Sequence, residues 1–426
     1  MKAFTNWLTD IFKNLSLTDP FYAERLWAFH RLNQPGFITS QREHYNNLRE
    51  MVELWIHQPY GYPIAKQTCS PVEVGGYADV IQSVTLTFVD GIYVPSDFHG
   101  LPQGVQLHKL LDLPLLKQKE VLTAYMDDIR SSDDLFVLLN RMLSQESYLL
   151  EVTADIQKAI VLQHILTDSA RHVVPQLMIS VSQASKATII ENWYTLSHKP
   201  HALVNYFTHI LLEEAAHLSY HTLYTDAPSC YQFNTLYCNQ KAHTTFTHHT
   251  FAFGTAMLRM HLKAQMHGSH ARAMLYGLST LGVKEKAAHQ IQVIHSEPHS
   301  FSQQQYKSIL GDQSTGSFSG KIYLTAAAQK TNAYQTNNAL ILSDAAHHYA
   351  KPQLEIYADD VKCSHGATTG QLDPAQLFYL QSRGIPAPLA KRLLLEAFGS
   401  SIIASVSLPI LQDYVYDKLV AKLVKL

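Results

Sequence analysis

The chain has 426 residues, 46% of them hydrophobic and 16% charged, which rules against disorder and predicts either one large domain with appended pieces or two to three domains. Lys and Arg number 33 against 35 Asp and Glu, a net charge of -2 with neutral histidines, so the chain lacks the basic footprint of a nucleic-acid binder or of a protein held on an acidic membrane surface. Four cysteines (Cys69, Cys230, Cys238 and Cys363) in so long a chain, with no Cys-x-x-Cys pair, argue against a disulfide framework and fit a reducing compartment.

In Met1–Leu17 the apolar residues Phe4, Trp7, Leu8, Ile11, Phe12 and Leu15 recur at helical spacing, broken by Asp10 and Lys13. This predicts an amphipathic helix and not the continuous apolar stretch of a signal peptide. No run approaches the ~18 apolar residues of a transmembrane helix, and the expected location is cytoplasmic. Helical spacing returns at Leu26, Trp27 and Phe29, and at Leu48, Met51, Val52 and Trp55. It returns again at Leu135, Phe136, Leu138, Leu139 and Met142, with Ser132 or Asp133 as the expected N-cap. Between them, Ser83–Val94 alternates Val84, Leu86 and Phe88 with Thr85 and Thr87, and Asp90-Gly91 supplies a turn. Residues 1–147 therefore read as a mixed, largely helical region.

From Tyr148 to Gly370 the period is two. Leu258, Met260, Leu262, Ala264 and Met266 alternate with Arg259, His261, Lys263, Gln265 and His267, and the pattern repeats at Leu177, Ile179 and Val181 and at Ala271, Ala273 and Leu275. More than 200 residues of strand without intervening helix exclude a doubly wound fold. No fixed-period propeller motif is present, so a mainly β chain with a β-solenoid body over 148–370 is predicted. After Gly370 helical signals return over 371–426. Asp373-Pro374 is an N-cap with proline at the first position, opening Pro374–Ser382, with Gly384 as its C-cap. Pro388–Phe398 is expected to stop at Gly399, and Pro409–Leu426 forms a third helix. The chain carries 24 histidines. Pairs such as His248-His249 and His347-His348 are expected on the solvated faces of strands, and no His-x-x-x-His ligand pair lies in a predicted helix.

Most active-site patterns are missing: no Gly-x-x-x-x-Gly-Lys-Ser/Thr phosphate loop, no Gly-x-Ser-x-Gly elbow and no dinucleotide fingerprint. The acidic pairs Asp133-Asp134, Glu213-Glu214 and Asp359-Asp360 are weak signals on their own. The constellation that carries chemistry is Asp359-Asp-Val-Lys-Cys-Ser-His-Gly366. With Leu354–His365 extended, Cys363 and His365 share one face. Thiolate and imidazole suit soft and borderline metals and iron–sulfur clusters, and Lys362 with a protonated His365 would favour the thiolate. Two ligands do not close a site of about four, so the remainder must come from distant positions or another chain. The same residues also fit a small buried thiol beside a polar strand residue.

Lys351-Pro-Gln-Leu-Glu-Ile-Tyr-Ala-Asp-Asp-Val-Lys-Cys-Ser-His-Gly-Ala-Thr368 closely resembles the signature of the SufB/SufD family of iron–sulfur cluster assembly proteins. Gly370, Phe378-Tyr-Leu-Gln-Ser-Arg-Gly-Ile385 and the preceding Gln335-Thr-Asn-Asn-Ala-Leu-Ile-Leu342 continue it. Weaker likeness lies at Leu86–Val94 and Leu101-Pro-Gln-Gly104, and the length and scarcity of cysteine are nearer the SufD branch. The resemblance implies a right-handed parallel β-helix core between helical regions, pairing with a SufB-like subunit through that core, and binding of a SufC-like ABC ATPase through the C-terminal helices. It implies an iron–sulfur cluster formed transiently at the SufB–SufD interface, with His365 and its companion Cys363 as candidate ligands, and no catalysis by this chain itself. It leaves open a flavin on the complex and self-association without the SufB-like partner. The family's N-terminal Arg/Lys-x-Glu-x-Trp-Lys-Tyr-Thr stretch is reduced here to Arg42-Glu-His-Tyr-Asn-Asn-Leu48. Two other readings stand beside the scaffold: a brace that contributes no ligand, and a polysaccharide-acting β-helix enzyme with Asp359 and Asp360 as acid and base.

Overall fold

The computed structural model describes residues 2–13, 19, 21–34, 37, 48–57, 83–95, 101–144, 146–168, 170–196 and 202–426. Cys69 and the degenerate stretch at 42–47 lie outside the described residues.

Alternating side chains build two walls of parallel strands that stack as a β-solenoid of about 8 coils, as the period-two patterning predicts. The first wall runs from Val84–Val89 through Ile160–Leu166, Lys186–Thr195, the first half of His217–Gln240, Thr245–Ala252, Arg272–Leu281, Phe301–Leu310 and Asn332–Ile341 to Lys362–Gly370. The second runs from Ser147–Val152 through Gln176–Val181, Leu203–Leu212, the second half of His217–Gln240, Thr255–Met266, Lys286–His295 and Thr315–Leu324 to His347–Ile356. Every pairing along these walls is parallel, so each strand's inward residues stack on those of the coil before, in continuous columns. The Asp90-Gly91 turn closes an antiparallel hairpin with Ile92–Val94, and both turn residues have positive φ, +49° and +86°, the geometry a tight hairpin requires.

The interior is apolar where alternation predicts it. Leu258, Met260, Leu262, Ala264 and Met266 are buried while His261, Lys263 and Gln265 are half-exposed on the outer face. Arg259 breaks the outward pattern and is itself buried, because the N-terminal helices cover this wall. Here the expectation for His248-His249 is overturned. Both rings are fully buried, with His248 in the lumen over Tyr220 and His249 on the outer face beneath the C-terminal helices, 2.9 Å from Ser405 Oγ. Burial in a low-dielectric interior keeps them neutral, His248 falling to about 3. In the second pair His347 is exposed as expected, whereas His348 is half-buried.

On the N-terminal side lie α1 (Lys2–Lys13), α2 (Tyr22–Leu32), α3 (Leu48–His57), α4 (Leu115–Arg130) and α5 (Leu135–Leu143). Phe4, Leu8 and Ile11 of α1 pack with Trp55 and α5 against Leu203, Phe233 and Met257 of the second wall. The N-cap of α5 is Asp134, one residue beyond the expected positions, its carboxylate accepting from the backbone N–H of Phe136 (2.8 Å) and Val137 (3.3 Å). Asp134 is the acid that can also reach Arg259 and His261. Helix α4 has no counterpart in the sequence reading: it buries Tyr125, Met126 and Ile129 at its C-terminal end but exposes Leu115 and Leu116, which blurs its apolar stripe. Asp128 of α4 holds the outer wall through His209 (3.0 Å), Asn239 and Gln265 (2.6 Å each).

Helices α6 (Pro374–Ser382), α7 (Ala387–Ile403) and α8 (Pro409–Leu423) follow the body. Asp373 caps α6 at the Ala375 N–H (2.8 Å), and Gly384 ends it at φ +85°. Helix α7 does not stop at Gly399. A Cβ there would lie 3.0 Å from Leu419 and 3.2 Å from Leu278, so this glycine serves close packing inside the helix instead of ending it. Leu395, Ile402, Leu411, Val415 and Leu419 cover the first wall at Leu223, Phe251, Leu278 and Ile309. Lys422 pairs with Glu285 at 2.6 Å.

Candidate functional site: the open end of the solenoid

The two last strands, His347–Ile356 and Lys362–Gly370, each pair on one side with the preceding coil. Among the described residues no strand pairs with their outer edges. The extended run expected over Leu354–His365 is interrupted, because residues 357–361 form the turn between the two walls. Cys363 and His365 nevertheless lie two apart on one strand and share its inward face.

Register fixes that direction. Cys363 sits over Ala333, which sits over Ser302, Ala273, Phe246 and Leu218, all buried. His365 sits over Gln335, Gln304, Leu275, His248 and Tyr220, again all buried. Both side chains therefore point along the solenoid's lumen. His365 is exposed and Cys363 half-exposed, since among the described residues no further coil covers them.

The floor beneath is polar. Gln335 is fully buried, and neither atom of its amide has a partner among the described residues. It crosses to the opposite wall: a Cβ on Gly320 would lie 1.5 Å from its Nε2. His348 closes the other side of the floor with Nε2 2.8 Å from Asn337 Oδ1. Burial lowers the His348 imidazole to about 4, leaving it neutral and able to accept or donate at neutral pH. Cys363 packs against the small apolar cluster of Ile322, Leu324, Ala328 and Ala333. Desolvation pushes its thiol up, opposed by a hydrogen bond from the Ala333 backbone. The expected thiolate activation is thus overturned within the chain by itself: Lys362 faces the other side of the strand, and burial outweighs it.

Asp359 and Asp360 are exposed on the 357–361 turn, Asp360 paired with Lys330, a surface ion pair and not an acid–base couple across a groove. Cys230 and Cys238 are buried in the body, with burial raising the thiol of Cys230 to about 12. Among the described residues no three His, Cys, Asp or Glu groups converge to hold a metal, so the open end offers ligands without a closed set.

Residues 164–398 match the family model described as SUF system FeS cluster assembly, SufBD core domain. The chain belongs to the SufBD family. Among relatives, the iron–sulfur cluster assembly protein SufD of Escherichia coli (strain K12) is 30% identical over 352 residues, 78% of each chain. An iron–sulfur cluster assembly SufBD family protein of Synechocystis sp. is 27% identical over 341 residues, 77% of this chain and 75% of its own. The chloroplastic protein ABCI7 of Arabidopsis thaliana is 27% identical over 329 residues, 74% and 68% respectively. This SufBD protein is thus a component of the SUF system of iron–sulfur cluster assembly, and no helix among its described residues is long and apolar enough to cross a membrane.

Sequence reasoning took in Cys363 and His365 but passed over Gln335, His348 and Gly320. The signal for Gln335 was present as spacing. Residues stacked in the His365 column of this SufBD body fall 27 to 31 apart, and Gln335 lies one such interval before His365.

Proposed function

We propose that this chain is a SufD-like scaffold subunit that pairs with a SufB-like subunit through the end of its β-helix core and binds a SufC-like ABC ATPase through its C-terminal helices. An iron–sulfur cluster is assembled, as cargo, at the interface between the two β-helices. His365 is the ligand this chain contributes, with Cys363 beside it, and the chain itself is non-catalytic, ATP hydrolysis residing in the ATPase subunit. In this reading residues 1–147 and 371–426 flank a core over 148–370, and the assembly works in the cytoplasm.

The observation that carries the reading is the direction of His365 and Cys363: both face down the lumen from a last coil that no described residue covers. Unpaired strand edges invite further strands, and Tyr334, Tyr349, Ile356 and Tyr357 stand exposed around them, the composition of a protein interface. An incomplete ligand set at such an edge is completed by whatever docks there. On α6 no residue is buried, Phe378 and Tyr379 are exposed, and Ala375, Gln376, Tyr379, Leu380 and Leu394 line a hollow, an apolar surface suited to the ATPase.

Reconstitution with the SufB-like and SufC-like subunits tests this. His365→Ala in an intact complex is expected to abolish or strongly reduce cluster absorption, and Cys363→Ser to reduce it less. Unchanged absorption with the complex intact would leave the chain a brace without a ligand role.

A further inference from the structure

Where the second wall turns into the first, six successive coils each place one residue in the left-handed region: Ala184 (φ +57°), Ala215 (+58°), His243 (+59°), His270 (+60°), His299 (+60°) and Lys330 (+60°). The backbone N–H of each donates to a carbonyl of the next coil, Glu214, Ala242, Ser269, Pro298, Gln329 and Asp360 in turn, at 2.7–3.3 Å. These hydrogen bonds involve main chain alone, and alanine serves the turn in two coils. The turn therefore does not call for an imidazole, yet three consecutive coils carry one. All three histidines are exposed. Their rings lie parallel one above the next, His243 to His270 at 5.0 Å and 7°, His270 to His299 at 4.9 Å and 6°.

Imidazole is the common protein ligand of zinc, copper and nickel. With metal–nitrogen bonds of roughly 2.0–2.1 Å, two ligands at a tetrahedral angle stand about 3.3 Å apart. Neighbouring rings of the ladder need only swing towards each other about their side-chain torsions to reach that separation, and exposed side chains on a rigid turn are free to do so. Rings two coils apart are not. Among the described residues no third side chain converges on the same point, so water would fill the remaining positions.

We propose that His243, His270 and His299 form a surface site for a borderline divalent metal ion, Zn2+ or Ni2+, chelated between imidazoles of adjacent coils, with His270 common to both pairs. This is separate from the open end and does not rest on the assembly reading.

The test is equilibrium dialysis of the full-length chain against Ni2+ near pH 7.5, in a background with Cys363→Ser and His365→Ala to silence the open end. The His270→Asn variant is expected to lose one bound equivalent, whereas His243→Asn and His299→Asn each keep a pair and retain it. Asparagine is chosen because it tolerates the left-handed backbone; should that variant fail to fold, His270→Ala places there the residue two other coils already use. Binding unchanged in the folded His270 variant would overturn the proposal, as would an equal loss from His347→Asn, an exposed histidine outside the ladder.

Discussion

The strands Ile160–Leu166 and Lys362–Gly370 occupy the same wall and the same inward columns, yet every residue of the first is buried and none of the second is. Their backbones are alike. What separates them is cover: the early strand has a strand on each side and its outward Val161 in the apolar cluster that the C-terminal helices share, while among the described residues the last has a strand on one side only. The C-terminal helices, instead of capping the last coil, fold back over Leu223, Phe251, Leu278 and Ile309 in the middle of the body. A solenoid whose closing segment returns to its flank leaves its final coil as a surface, and that surface holds the candidate ligands.

Truncations in one column give the sharpest contrast between the covered and open ends. Ile322→Ala, at a fully buried position, is expected to cost roughly 2–5 kcal/mol in urea unfolding. Leu354→Ala, its partner one coil further on, is half-exposed and should cost well under that. Equal costs would mean the last coil is covered within the chain after all. Carboxylates in the lumen and on the helix packed against the outer wall should respond to pH with opposite signs. Glu191 is fully buried and raised to about 7 by desolvation, against donated bonds from Tyr220 and Trp193. An acid with a raised folded pKa holds its proton after the unfolded chain has lost it, so stability should fall as pH climbs from about 4.5 to 7. Glu191→Gln should remove that slope, an effect on the order of a few kcal/mol above pH 7.

For Asp128 the balance is reversed. Desolvation pushes its carboxyl up, but hydrogen bonds from His209 and Asn239 and the charges of His209 and Lys263 hold it at about 2. Its contribution, present above the unfolded value near 3.9, should disappear as pH falls through that window to about 2, and Asp128→Asn should flatten the acid limb of the stability curve. The smallest expected effect on the chain alone comes from His365→Ala, within about 0.5 kcal/mol because the ring is exposed. Addition of the SufB-like subunit, by contrast, should slow amide exchange in His347–Ile356 and Lys362–Gly370 while leaving Ile160–Leu166 unchanged. Equal slowing in both strands would argue against docking at the open end.

How far each element was legible follows from how local its cause is. The alternation of Leu258 to Met266, the Asp90-Gly91 turn, the Asp373-Pro374 start and the Gly384 stop all act within a few residues, and all were readable. Arg259 and His249 were misjudged or unremarkable in sequence because their burial is decided by helical regions more than a hundred residues away, and His248 because the coils before and after it bury it in the lumen. Gly399 read as a helix end because glycine's local propensity says so, and only the closeness of Leu278 and Leu419 gives it another use. At the candidate site the Cys-x-His spacing revealed two side chains on one face, but not that the face looks down the lumen, nor that Gln335 and His348 lie beneath it.

By itself, then, the sequence determined that a long body of period-two strands lies between helical ends and that a signature with one thiol and one imidazole closes it, since side-chain alternation and turn chemistry are properties of neighbours along the chain. Only the tertiary structure decided which of those faces are inside, which coil is last, and where the covering helices go. Burial in a solenoid comes from residues a whole coil or more away, and the end is open because none of the described residues packs over it.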